Sequence, residues 1–454
     1  MARWRRVGAT LSRERPPKRA SHVGLVATFV TLPLVASCSS AKPDSGFTTP
    51  QGNNGNGATT QPAGDAGPTT TDDGGPGAGN LLGGVAEAGA ADAGTTTIDG
   101  GFQCVKNTSQ YDIPANGCDD DDDGIVDNVL VCDSGLALAG AAGAFLQALG
   151  VCRTSADANH WGVVSATYTN GHTQTTAGSG NFGEQHGILS TFGTVLVPRE
   201  GYMLGALSSG SATATDSDTG PNFKGEKSGM QGPAGVGTGN SGDVPAGFPQ
   251  ASGSCTVSSE VNDVIDLKVQ IRVPTNANGF SFDFNFMSGE WPDFVCSTFN
   301  DSFIAYLTSK AFNSGNPGNI SFDTSGNPIS VNNNFFQACT AGVPTGCDGN
   351  APGTSTCTLG PSQLAGTGFA AENPAQAYCA GGVSTSGGGT GWLTSQAPVQ
   401  PGEVISLEFL IWDTGDESYD SSVLLDHLAW VPDPLPPTPI TIPSPPPPPP
   451  PPPK

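Results

Sequence analysis

The chain has 454 residues, with 41 Asp and Glu against 17 Lys and Arg, a net charge of −24, and 64 Gly and 39 Pro. That Gly and Pro content exceeds ordinary globular usage, so much of the chain lies outside packed core. The acid surplus excludes nucleic acid and anionic membrane surfaces as partners, because both repel a polyanion. It suits cations.

Residues 1–22 carry seven Lys or Arg and one acid, Glu14, and an apolar run of about 15 residues follows from Val23 to Ser37. Such a run is too short to span a bilayer and fits the apolar region of a signal peptide. It ends in Leu34-Val35-Ala36-Ser37-Cys38, which resembles the bacterial lipobox, and the resemblance makes Cys38 the lipidated N-terminus of the mature chain. An exported, lipid-anchored protein at the bacterial outer membrane or cell surface is expected. Cleavage after residue 37 leaves 40 acids and 10 bases, a net charge of −30. Ten Cys remain: Cys104, Cys118, Cys132, Cys152, Cys255, Cys296, Cys339, Cys347, Cys357 and Cys379. An even count in an exported chain predicts disulfides, and the absence of any C-x-x-C disfavours zinc.

Residues 38–101 are rich in Gly, Thr, Ala and Asn, with Phe47 the only aromatic. They cannot bury enough surface to offset their ordering entropy, so a disordered stalk is expected. Residues 102–133 form an Asp-rich segment, and 134–431 a β-rich domain. Residues 432–454 hold 15 Pro and finish in nine consecutive ones, the composition of a stiff polyproline rod.

Within the domain, Ser134 to Leu149 reads as a buried helix with Asp133 or Ser134 as N-cap and Gly150 as stop. Gly162–Tyr168 and Tyr202–Leu207 are strand-like. Ile265, Leu267, Val269, Ile271 and Val273 alternate with polar residues, as do Phe280, Phe282, Phe284 and Phe286, so each segment reads as a strand with one wet face. Phe303–Leu307, Ile320–Phe322 with Ile329–Val331, Val404–Trp412 and Val423–Trp430 complete the series. The expected fold is mainly β, an antiparallel, jelly-roll-like sandwich with one or two short helices and long disordered tails.

The sharpest motif is Cys118-Asp119-Asp120-Asp121-Asp122-Asp123-Gly124-Ile125-Val126-Asp127. Asp119, Asp121, Asp123 and Asp127 stand at positions 1, 3, 5 and 9 of a D-x-D-x-D-G-x-x-D loop, and the Ile125 carbonyl adds a further oxygen. Ca²⁺ takes six to eight oxygens, and Gly124 permits the bend the loop needs. Leu130 stands where an EF-hand has Glu, so the loop resembles thrombospondin type 3 or dockerin-type calcium loops. Cys118 and Cys132 flank it and are placed to staple it. A second acidic group, Glu290, Asp293, Asn300, Asp301, Asp413, Asp416 and Asp420, offers a cation site, a ligand site or turn caps. Paired carboxylates such as Glu290 with Asp293 or Asp416 also suit a carbohydrate hydrolase. Hydrolase signatures such as G-x-S-x-G and H-E-x-x-H are missing, and two G-x-G-x-x-G matches join no strand to a helix.

Phe282-Asp283-Phe284, Ser288-Gly289-Glu290-Trp291-Pro292-Asp293-Phe294 and Phe299-Asn300-Asp301-Ser302-Phe303 resemble one signature block of choice-of-anchor L domains. Ile411-Trp412-Asp413-Thr414-Gly415-Asp416 with Tyr419-Asp420-Ser421-Ser422-Val423 resembles the other. The likeness extends over about 104–431 and implies a β-rich domain displayed on bacterial surfaces, and a non-enzymatic protein is expected. Its expected role is adhesion or binding of a glycan, matrix or cell-surface partner. The alternatives are the hydrolase and a structural envelope module.

Overall fold

The structure, a computed structural model, describes residues 97–98, 102–128, 130–175, 184–212, 243–333, 335–346, 353–369, 387–415 and 419–445. Cys38, Cys347, Cys379, Asp416 and the final proline run beyond Pro445 lie outside the described residues. So does the stalk, apart from Thr97–Ile98, which pairs with Phe102–Gln103.

Two antiparallel sheets carry the domain. The first contains β1 (Gly162–Thr169), β4 (Val261–Arg272), β6 (Ser302–Thr308), β7 (Gly318–Asn319), β8 (Ile329–Ser330) and β11 (Val404–Thr414). Its order is β8-β6-β11-β4-β1, with β7 alongside β6. The second contains β2 (His186–Leu189), β3 (Leu204–Ser208), β5 (Gly279–Ser288), β9 (Gly388–Gly389), β10 (Leu393–Pro398), β12 (Ser421–Val431) and β13 (Ile440–Pro443). Its order is β13-β10-β5-β12-β3-β2, with β9 alongside β5. The sandwich expected from the alternating segments is the observed architecture. Chain neighbours switch sheets, β4 to β5 to β6 and β10 to β11 to β12, so the ends of both sheets meet along one rim.

The inward phenylalanines of β5 interlock with the opposite sheet. The rings of Phe282 and Phe409, and of Phe284 and Phe303, have centroids 5.2 Å apart, and all four are fully buried. Each such side chain contributes about 1.5–3 kcal/mol through burial alone.

The wet faces expected for β4 and β5 are largely dry. Every residue of β5 is buried. On its outer face Asp283 accepts from Arg199 Nε (3.0 Å) and Thr394 Oγ1 (2.5 Å) and pairs with His427. On β4 the outer face is dry at one end only. There Val264 packs with Ile304, Leu410 and Trp412 under Val244 and Phe248, while Gln270 remains exposed. Alternation reports the chemistry of a face, and long loops can still cover a polar one.

The helix is shorter than expected. α1 spans Ala142–Ala148, and Ala141 is its N-cap with no side-chain cap bond. The preceding residues are held by the rim of the second sheet, where Ile188 N donates to Leu138 O (2.9 Å). Asp133 caps a loop instead, accepting from the backbone N–H of Tyr202 (2.5 Å) and Met203 (2.7 Å). Gly150 ends the helix at φ +90°. The apolar face covers β3 at Gly205, where an added Cβ would lie 2.2 Å from the Phe145 ring. Gly205→Ala should therefore cost about 1–3 kcal/mol, read as a lower urea midpoint at unchanged m-value.

Cys118 and Cys132 are not joined. The pairs are Cys104–Cys118, Cys132–Cys152, Cys255–Cys296 and Cys339–Cys357. The acidic loop is thus tied to the chain before it, and the segment after it to the end of α1. Within the proline-rich C-terminal segment, β13 pairs with β10 from Gln396↔Ile440 to Leu393↔Pro443. The β-branched triplet Ile440-Thr441-Ile442 suits an edge strand despite its Pro neighbours.

Candidate metal centre

Five carboxylates converge where the two sheets meet. Glu290 follows β5, Asp301 precedes β6, Asp413 is near the end of β11, Asp420 precedes β12, and Asp263 lies near the start of β4. None has more than 2% of its surface exposed. They form two triads that share Asp413: Asp263, Asp413 and Asp420, and Glu290, Asp301 and Asp413. Within each triad the candidate ligand oxygens all lie within 4.8 Å of one another.

Local backbone features place each side chain. The ladder between β11 and β4 shifts between Ile411↔Ile265 and Asp413↔Asn262. Asp263 and Val264 therefore face Trp412 alone, a β-bulge of the kind that re-aims a side chain. Asp263 sits there at φ +54°, a conformation Asp tolerates better than most residues. Asp301 ties the rim together: Oδ1 accepts from Thr414 N (3.1 Å) and Oδ2 from Ser421 Oγ (2.6 Å). Its own N–H donates to Glu290 Oε2 (3.3 Å). Asp420 is clamped through its carbonyl, which accepts from Gly289 N (3.1 Å). It presses on Gly210, where a Cβ would lie 1.9 Å from Asp420 Oδ2.

Asp413 stands out chemically. It is completely buried, and neither carboxylate oxygen meets a hydrogen-bond donor. Burial first, then the charges of Asp301 and Glu290, the close approach of the Asp301 carboxyl as a hydrogen-bond partner for the protonated form, and the charge of Asp420 push its carboxyl well above the ordinary range. A buried carboxylate against other carboxylates is costly unless a proton or a cation neutralises it. The donor set is oxygen alone, which selects a hard cation such as Ca²⁺ over zinc.

The other members of the acidic group have different places. Asp293 is buried outside both triads, with its carboxyl raised to about 7 by burial. Asn300 acts as a loop clamp, its Oδ1 accepting from Asn332 N (3.0 Å). Glu290 is buried and accepts from the Asp301 N–H.

The acidic loop builds a second, smaller centre. Asp119 and Asp121 converge with Asp112, all three buried. Lys106 pairs with Asp119 at 2.5 Å, and Arg153 pairs with Asp121. Burial works to raise the Asp119 carboxyl, but the Lys106 contact and the N–H groups of Gly124 and Asp123 bring it below the ordinary value. Asp121 is raised, because burial outweighs Arg153. Asp123 accepts from Ile125 N (2.9 Å) and Asn128 Nδ2 (2.8 Å), and Asp127 from Asn116 N (3.0 Å) and Gly117 N (3.1 Å). These two carboxylates are held by donors inside and just before the loop and lie outside the buried triad. The Ile125 side chain is exposed.

Beside this loop lies a cleft of about 450 Å³ walled by Tyr111, Asp121, Trp161, Glu200, His427 and Trp430. His427 is raised by its hydrogen bond to Asp283, against the effect of burial. Next to it, burial lifts the Asp426 carboxyl to about 8, against the N–H bonds it accepts from Arg199 and His427. A carboxyl raised in the folded state contributes stability below its unfolded value near 3.8. That contribution is lost as pH rises through about 8. Melting curves between pH 5 and pH 9 should show a stability loss of up to about 1.4 kcal/mol per pH unit, and Asp426→Asn should flatten it.

The two sequence blocks that resembled a family thus meet at one rim of the fold. The choice-of-anchor L domain family matches residues 162–429. The chain belongs to this family. No curated protein and no solved structure matches it. Choice-of-anchor L membership associates the chain with secreted or cell-surface proteins, and the family is not known for enzymatic activity. No helix among the described residues is long and apolar enough to cross a membrane.

In this choice-of-anchor L domain the first block supplies Glu290 and Asp301 and the second Asp413 and Asp420. Asp263 belongs to neither block. It continues the odd-numbered inward series of Ile265, Leu267 and Val269, and a carboxylate in such a series is the signal that marks it. Asp112 lies seven residues before the D-x-D-x-D run, and no spacing rule reaches it.

Proposed function

We propose that this protein is a lipid-anchored surface protein whose choice-of-anchor L domain is held together by Ca²⁺ and binds a glycan, matrix component or neighbouring cell. Asp413, fully buried with both oxygens lacking a donor, carries the cation reading. Ca²⁺ at the rim would neutralise it and join the strand ends of both sheets. The loop centre of Asp112, Asp119 and Asp121 is a further Ca²⁺ candidate, with weaker demand because Lys106 and Arg153 already offset part of its charge. The cleft beside it, with indole, phenol and carboxylate walls, has the size and mixed lining of a small-ligand site. The lipobox-like sequence at Cys38 supplies the outer-membrane anchor. A hydrolase needs both carboxylates within reach of substrate, and the burial of Glu290 and Asp293 does not favour one.

Calorimetric titration of the full chain with Ca²⁺, alongside melting with and without EDTA, tests the cation reading. Heat uptake and a higher melting temperature in Ca²⁺ are expected, and no change in either would overturn it. Binding to a glycan array that EDTA abolishes would support the adhesive role. Persistence of a lipid label in Cys38→Ala would remove the anchor.

A further inference from the structure

We infer that the rim centre holds two divalent cations, bridged by the carboxylate of Asp413, with Asp263 and Asp420 completing one ion's anionic ligands and Glu290 and Asp301 the other's. The inference rests on the cation reading above and goes beyond it in number and assignment.

Three observations carry it. The five carboxylates fall into two overlapping triads and not one shell, and Asp413 is the member common to both. Ligands on opposite sides of one Ca²⁺, each 2.3–2.6 Å from it, stand about 4.6–5.2 Å apart, and each triad already fits within that span at 4.8 Å. Asp413 has two oxygens, both completely buried and neither meeting a donor. One ion bound through a single oxygen would leave the other without a partner; one ion held by both oxygens, or a bridge between two ions, satisfies both, and the two separate triads around Asp413 favour the bridge.

The backbone supports the division of labour. Asp263 reaches the centre through the β4 bulge and Asp420 through its press against Gly210. Glu290 and Asp301 are instead linked to each other, by the Asp301 N–H donating to Glu290 Oε2. Each pair thus reaches Asp413 by its own scaffold. The loop centre packs near Trp430, to whose carbonyl Tyr111 donates (3.2 Å). Asp420 precedes the opposite end of the same 11-residue strand, which puts roughly 30 Å between the two regions at about 3.3 Å per residue.

Native mass spectrometry of the full chain in Ca²⁺, compared with variants confirmed as folded by near-UV circular dichroism, counts the ions. Asp413→Asn should lose two, Asp263→Asn one and Glu290→Gln one. A loss of one ion in Asp413→Asn would overturn the pair while leaving a single rim cation in place. A loss of none would overturn the rim reading altogether. On the unsubstituted chain, loading with mixed Tb³⁺ and Eu³⁺ should give energy transfer between lanthanides, because adjacent ions lie far closer than ions at opposite ends of a strand. Absence of transfer at saturation would overturn the pair, whether or not Asp413→Asn folds.

Discussion

In excess Ca²⁺, Asp413→Asn should lower the melting temperature, and in EDTA at neutral pH the same substitution should raise it. The two signs have one cause. With cations bound, the Asp413 carboxylate is the shared ligand, and a ligand at 100 times its dissociation constant contributes about 2.7 kcal/mol per site. Losing one or two such sites would cost about 3–5 kcal/mol, and at roughly 2 °C per kcal/mol for a domain of this size the shift would be about 6–10 °C. Without cations, the carboxyl is buried against Asp301, Glu290 and Asp420, and an amide removes that repulsion for a gain of about 1–3 kcal/mol. Scanning calorimetry of both chains in both buffers gives four curves. Curves that keep their order in the two buffers would show that Asp413 is not a cation ligand.

The second large effect concerns Cys255–Cys296. This disulfide closes 41 residues, and the chain-entropy relation assigns such a loop about 4 kcal/mol. Its position matters more than its length. Cys255 lies just ahead of the strand that carries Asp263, and Cys296 lies between Glu290 and Asp301, so the bond fixes the two parts of the rim centre relative to each other. Cys255→Ser with Cys296→Ser should therefore lower stability and weaken Ca²⁺ binding at least about tenfold, since each 1.4 kcal/mol of lost preorganisation is a factor of ten. Cys132–Cys152 closes 20 residues beside α1 and provides the contrast. Its removal should cost about 3 kcal/mol with the rim affinity unchanged. Equal losses of affinity in both variants would mean that global loosening, and not the rim, sets the effect.

The fold was legible where one strand face is apolar and its period is 2. Phe280, Phe282, Phe284 and Phe286 announce a strand, and the structure builds β5 from them. What covers the opposite face was not legible, because Arg199 and Thr394 reach Asp283 from distant parts of the chain. The helix was overread for a related reason. Ala and Leu favour a helix over Ser134 to Leu149, but a backbone bond from Ile188 and the Asp133 contacts with Tyr202 and Met203 hold the first half open. Local propensity is a weak prior against such tertiary ties.

The candidate site divides in the same way. Glu290, Asp301, Asp413 and Asp420 sit in two dense acidic blocks and are visible in the sequence. Asp263 is marked only as a carboxylate continuing the inward series of β4, and the bulge that aims it is not in the sequence pattern; Asp112 joins only on closing the acidic loop. Asp123 and Asp127 have ideal spacing but lie outside the buried triad, Asp123 accepting from Ile125 N and Asp127 from Asn116 N. Spacing shows which oxygens could converge, but not which are buried together: Asp119 and Asp121 join Asp112 in the interior, while Asp123 stays exposed.

One edge of the second sheet bears on life at a crowded surface. Its outermost strand, Ile440–Pro443, leaves at most three residues with an N–H, and antiparallel pairing turns some of these toward β10. Strand-by-strand recruitment of a neighbouring copy needs a row of free donors, and this edge offers too few to begin one. Copies of the chain brought close together would therefore not join their sheets through this edge.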